Sequence, residues 1–179
     1  MALRAQLKHV GIYVQDIDVM TRYYTEVFGL VVTDTGVSQQ FQNRIHFLSA
    51  DAQSHHQLVL IGGRDVAQQP STVNQLSFKV ERIDDLRTLH ERLQRFGNEP
   101  VRAVDHGNSW SLYARDPEGN GIEAYLDTPW HVSQPHARPL DLDLADDELL
   151  QSTRAAVLRD PTYIERSAWS TQLERILAG

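Results

Sequence analysis

Three side chains on widely separated stretches have the types that hold a divalent cation: the imidazole of His9, the amide of Gln75 and the carboxylate of Glu123. Imidazole, amide oxygen and carboxylate together suit Fe(II), Mn(II), Ni(II) or Zn(II). Glu123 stands between Ile122 and Ala124, in a short apolar run fed by Asp116-Pro117-Glu118-Gly119-Asn120-Gly121. Turn formers followed by alternating side chains read as the last strand of a hairpin. An unpaired buried charge is costly. A carboxylate in such a strand therefore implies a metal ion, a salt bridge or a solvent-facing position. No short ligand motif joins the three residues, so whatever brings them together is the fold.

The elements that would position them form a diverged repeat. Leu7–Val14 alternates as a strand and is followed by a helical pattern through Met20, Tyr23, Tyr24 and Val27, closing at Phe28-Gly29. The pattern returns 66 positions later, with a strand over 74–80 and a helix through Leu86, Leu89 and Leu93 that ends at Phe96-Gly97. Ile83-Asp84 matches Ile17-Asp18, and the glycine after each helix fits a left-handed cap. Strand-like stretches follow each helix: Leu30–Thr33, Arg44–Leu48 and Gln57–Ile61, then Pro100–Val104, Ser109–Ala114 and Ile122–Leu126. The expected fold is α+β: two βαβββ modules, about 5–64 and 72–128, that combine into a curved mixed sheet within a domain of residues 1–130. Strand alternation puts His9, Gln75 and Glu123 on one kind of face, opposite the residues that pack under the helices. In such a curved sheet they can converge in the concavity.

Residues 131–179 read as a linker, extended over Ser133–Pro139, and then a C-terminal helical extension over Asp146–Leu158 and Tyr163–Leu177. Leu149, Leu150, Val157 and Leu158 form one amphipathic set, and Trp169, Leu173, Ile176 and Leu177 another. These faces could pack on the sheet, cover a pocket or meet a second copy, so a homodimer is one option.

The 179 residues are 41% hydrophobic and 23% charged, an ordinary globular balance. No apolar run approaches the ~20 residues of a membrane span, and Met1–Arg4 opens without the apolar core of a signal peptide. A net charge of −7 argues against nucleic acid as the main partner. There is no cysteine, which excludes disulfides and thiolate metal sites. Cytoplasmic location is the default expectation.

The paired modules and the closing Asp116–Glu123 segment resemble the vicinal oxygen chelate superfamily, which contains glyoxalase I, bleomycin-resistance proteins, methylmalonyl-CoA epimerase and type I extradiol dioxygenases. The resemblance covers roughly residues 5–130. Asp105-His106-Gly107-Asn108-Ser109, together with Tyr113-Ala114-Arg115-Asp116-Pro117, is most similar to the extradiol dioxygenases that cleave catechols. The resemblance implies metal ligands at His9 and Glu123, with Fe(II) the first choice of metal. The family's second metal histidine falls on Gln75, which is a departure. His56 falls where the dioxygenases keep an acid/base histidine, and it or Gln57 could complete a glyoxalase-like metal site. His106 and Tyr113 fall on the histidine and tyrosine that contact the substrate oxygens. Partners so implied are a small aromatic diol and dioxygen. The alternatives are a glyoxalase- or epimerase-like metal enzyme and a metal-free sequestering protein of the bleomycin-resistance type. Sequesterers commonly lack the metal ligands, so the presence of His9 and Glu123 weighs against the last. Because His55 and His56 are neighbours, strand alternation would send them to opposite faces.

Overall fold

The structure is a computed structural model and describes residues 5–38, 42–65, 73–97 and 100–178. The chain divides into two compact units, Met1–Asn74 with Arg115–Asn120, and Gln75–Ala114 with Gly121–Gly179.

The first unit is one βαβββ module. Strand β1 (Val10–Val14) leads into helix α1 (Ile17–Phe28), then β2 (Val31–Val37), β3 (Arg44–Ser49) and β4 (Leu58–Gly62). The strands order as β1-β4-β3-β2, with β1 parallel to β4 and the others antiparallel. Helix α1 starts at Asp16, whose side chain accepts from the amides of Asp18 and Val19. It ends at Gly29, whose φ of 70° provides the left-handed cap. Its apolar face, Ile17, Met20, Tyr23, Tyr24 and Val27, is buried. The same cap recurs at Gly97, with φ 75°.

The second unit repeats the module: β5 (Leu76–Val80), α2 (Ile83–Phe96), β6 (Arg102–Asp105), β7 (Ser109–Arg115, whose last residue falls in the first unit) and β8 (Gly121–Asp127). Here β5 runs parallel to β8. After β9 (Trp130–His131), β10 (Arg138–Pro139) adds to the outer edge of β6, so the Ser133–Pro139 stretch is tied to the sheet. Helix α3 (Asp146–Val157) follows, then β11 (Ile164–Glu165), which pairs with β9, and α4 (Arg166–Ala178).

The two terminal helices differ from the sequence reading. On α3 the buried face is Leu149, Thr153 and Val157, while Leu150 and Leu158 are exposed. A threonine can occupy the middle of that stripe because its hydroxyl is bonded on both sides. It accepts from Trp110 Nε1 and donates to Asp105 Oδ2, both at 2.9 Å. Helix α4 buries none of its residues, and Leu173, Ile176 and Leu177 face outward. No helix among the described residues is long and apolar enough to cross a membrane.

Candidate functional site

The turn before β8 is the first element to explain. Asp116, 1% exposed, accepts from the amides of Glu118 and Asn120, from Asn120 Nδ2 and from the hydroxyl of Tyr24. Four donors match the acceptor capacity of a carboxylate, which is what makes its burial tolerable. Burial and the adjacent Asp116 charge hold the Tyr24 phenol well above its usual range. Glu118 accepts from the amides of Gln15 and Asp16 and pairs with Arg64 at 3.3 Å. The leading carboxylates of the Asp-Pro-Glu-Gly-Asn turn are thus structural, and they serve the first unit. Glu123, three residues after Asn120, serves the second.

In the second unit four of the predicted site residues meet. Gln75 immediately precedes β5, and its Nε2 donates to Glu123 Oε2 at 2.7 Å. Ser77, two residues on and therefore on the same face, donates to that oxygen at 2.6 Å. Tyr113 on β7 donates its hydroxyl to Glu123 Oε1 at 2.7 Å. The same hydroxyl is 2.9 Å from His106 Nε2. The other ring nitrogen of His106 is 2.6 Å from the carbonyl oxygen of His136, so Nδ1 carries a hydrogen. Burial, then Glu123, push the Tyr113 phenol up to about 12. The guanidinium of Arg102 lies 5.1 Å from the centre of the Tyr113 ring, a cation–π contact.

The loop carrying His106 is shaped by Gly107, which has φ +74°. A Cβ there would stand 2.6 Å from Val132 Cγ2 and 3.0 Å from Val157 Cγ1. Trp110 is 4% exposed and bonded to Thr153, so it packs.

In the first unit His9 immediately precedes β1, the position that Gln75 holds before β5. Its ring centroid is 4.3 Å from that of His56. His56 sits in the loop before β4 rather than on the strand, so alternation does not govern it. Both His55 and His56 contact Phe47, at ring-centroid distances of 5.7 and 5.2 Å, contrary to the expected opposite faces. Burial, then the nearby His9 and His55, lower the affinity of His56 for a proton. Gln57 points elsewhere: its Oε1 accepts from the amide of Ala50 at 2.9 Å and closes the loop.

Within each unit the donors can be compared with what a cation needs. Glu123 accepts three hydrogen bonds of about four that a carboxylate can take, which leaves one place. Gln75 presents its amide nitrogen to Glu123. No hydrogen bond to His9 is found among the described residues. No group of three or more His, Asp and Glu residues that could hold a metal ion is gathered among the described residues. Sequence reasoning missed Ser77 and Arg102 as members of this cluster. Ser77 was findable because it shares the Gln75 face, whereas nothing local marked Arg102.

The model of the Glyoxalase/Bleomycin resistance protein/Dioxygenase superfamily matches residues 6–124. Biphenyl-2,3-diol 1,2-dioxygenase 3 of Rhodococcus globerulus is 31% identical over 133 residues, covering 71% of this chain and 66% of that protein. Biphenyl-2,3-diol 1,2-dioxygenase 2 of the same organism is 26% identical over 132 residues, covering 71% and 65%. The chain thus spans just under two thirds of the length of these relatives. Among solved structures, a glyoxylase/bleomycin resistance protein/dioxygenase domain from Frankia sp. EAN1pec superposes with TM-score 0.59 at 26% identity, covering 70% of this chain and 94% of that one. The fosfomycin resistance protein FosX of Listeria monocytogenes, solved with Mn(II) and sulfate, has TM-score 0.54 at 16% identity, covering 70% and 95%.

Proposed function

We propose, since the chain belongs to the Glyoxalase/Bleomycin resistance protein/Dioxygenase superfamily, that it is a metal-dependent, extradiol-type dioxygenase acting on a catechol-like aromatic diol. The observation that carries this reading is the continuous hydrogen-bonded series Gln75–Glu123–Tyr113–His106. It joins a carboxylate able to bind metal to a phenol and an imidazole able to bind substrate oxygens.

In this reading His9, Gln75 and Glu123 would hold the metal, with Fe(II) first and Mn(II), Ni(II) or Zn(II) as alternatives. Once bound, the metal would supply a Lewis-acid and redox centre for the diol and dioxygen. His56, whose surroundings favour the neutral ring, takes a proton from the diol and can return it later. The high proton affinity of Tyr113 keeps its hydroxyl protonated throughout the neutral range, so that hydrogen, turned from Glu123, can hold a developing oxyanion. The His136 carbonyl holds a hydrogen of His106 on Nδ1 and so orients the ring, with Nε2 facing the Tyr113 hydroxyl. Biphenyl-2,3-diol, the substrate named in both relatives, is the first diol to try.

One observation favours a second reading. Glu123 already has three protein donors, which offsets much of the cost of an uncompensated carboxylate without a cation. That would suit a protein that sequesters a small molecule. Metal content after anaerobic loading with Fe(II) and removal of excess separates the two. Bound iron that is lost in both His9→Ala and Glu123→Ala supports the enzyme. No bound iron in the unaltered chain supports the sequesterer.

A further inference from the structure

Asp34 lies on β2, while His55 and His56 lie in the loop before β4, all within the first unit. Nδ1 of His55 and Nδ1 of His56 are 2.9 Å apart. Two imidazole nitrogens at that distance share one hydrogen, so one ring donates and the other accepts. The far side of the His55 ring decides which. Its Nε2 lies 3.9 Å from Asp34 Oδ2, too far for a direct hydrogen bond, but an ionised carboxylate still attracts an N–H and repels a lone pair. That charge favours the hydrogen of a neutral His55 on Nε2, which leaves its Nδ1 as the acceptor. His56 must then carry its own hydrogen on Nδ1, and its lone pair is left on Nε2.

We propose that His55, backed by Asp34, is a positioning residue that fixes His56 in the Nδ1–H tautomer, so that Nε2 is the atom presented for proton transfer. The functional value of this arrangement rests on His56 being the proton-handling group of the proposed function. The logic is that of a carboxylate holding a catalytic imidazole in one tautomer, with a second imidazole placed between the two. Phe47 holds the pair in place, touching both rings. The opposite tautomer of His56 would set two nitrogen lone pairs against each other across 2.9 Å, unless His55 moved its hydrogen away from Asp34.

The test is a long-range proton–nitrogen NMR correlation of the imidazole nitrogens in the full, nitrogen-15-labelled chain. It is recorded at roughly pH 8.5, about two units above the ordinary histidine value, so that the rings are neutral. His56→Gln assigns the signals. The expected result is a protonated Nδ1 and a bare Nε2 on His56. In His55→Phe the tautomer ratio moves toward Nε2–H by about fivefold or more, the worth of one hydrogen bond. In His55→Asn, whose side-chain oxygen can accept from Nδ1, much of the original ratio returns. A His56 that carries its hydrogen on Nε2 in the unaltered chain overturns the proposal, and so does an unchanged ratio in His55→Phe. The spectrum of the unaltered chain decides the tautomer even if a variant fails to fold. If His56 is Nδ1–H and the chain cleaves no diol, the proposed function falls while this tautomer assignment stands. If the diol is cleaved and His56 is Nε2–H, only the positioning role falls.

Discussion

Thr153→Val removes a hydroxyl and keeps the size of the side chain. In the intact protein that hydroxyl accepts from Trp110 Nε1 and donates to Asp105 Oδ2, both at 2.9 Å. Trp110 is 4% exposed, Asp105 2% and Thr153 1%, so water cannot replace the lost partner. The indole N–H loses Thr153 as its acceptor. Asp105 keeps the amide of Gly107 at 2.7 Å and Arg138 at 3.8 Å, so its loss is partial. An unsatisfied buried polar group costs ~1–3 kcal/mol, which puts the total here at about 3 kcal/mol. For a chain of this length that is a fall in Tm of roughly 6–12 °C. Thr153→Ser keeps the hydroxyl and deletes one methyl, for about 1 kcal/mol. Thermal and urea unfolding of both variants make the comparison. A valine variant within ~0.5 kcal/mol of the unaltered chain would refute the reasoning, being no more than an ordinary surface change. A serine variant as damaging as valine would also refute it, because packing rather than hydrogen bonding would then be at stake. The same network roots the strand end that carries His106, so Thr153→Val is also expected to broaden or shift the His106 ring signals.

Gly107→Ala should cost more than about 2 kcal/mol, since it adds a left-handed backbone penalty to a clash with Val132 and Val157; a melting curve that matches the unaltered chain would contradict this. Burial, then Arg44, lower the proton affinity of His46, with Asp18 opposing. Because its folded pKa lies below the unfolded one, its contribution is fully present above the ordinary value near 6.5 and is lost as pH falls below it. Urea unfolding from pH 8 to pH 5 should show this acid-side slope, reduced in His46→Gln; an equal slope in both would assign the effect elsewhere. Gln75→His should tighten Fe(II) binding by about tenfold if this position faces the metal, and equal or weaker binding in an anaerobic titration would remove Gln75 from the ligand set.

Much of the repeat was legible because its signals are local. The buried stripes of α1 and α2 have helical spacing, and Gly29 and Gly97 mark where each helix stops. Strand β2 continues to Val37, beyond the expected Thr33, because Asp34 and Thr35 are exposed and carry no apolar alternation. The two-residue strands β9, β10 and β11 are too short to leave a pattern. At the site, alternation was enough to put Gln75 and Ser77 on one face. It failed for His55 and His56, where the chain has left the strand. The roles of Asp116 and Glu118 depend on Tyr24, Gln15 and Arg64, far away in sequence, and nothing local could have announced them. The histidine expected at Gln75 is absent, and an amide bonded to Glu123 stands in its place.

As proposed, this chain opens catechol-type rings through the cluster built on Glu123. The most direct measurement is simultaneous oxygen uptake and absorbance with biphenyl-2,3-diol, using protein loaded anaerobically with Fe(II) and then exposed to air. The expected result is a coloured ring-fission product formed as oxygen is consumed, at a rate that collapses by about a hundredfold or more in Glu123→Gln. No oxygen uptake by the iron-loaded chain with biphenyl-2,3-diol or simpler catechols, or an undiminished rate in Glu123→Gln, would contradict it.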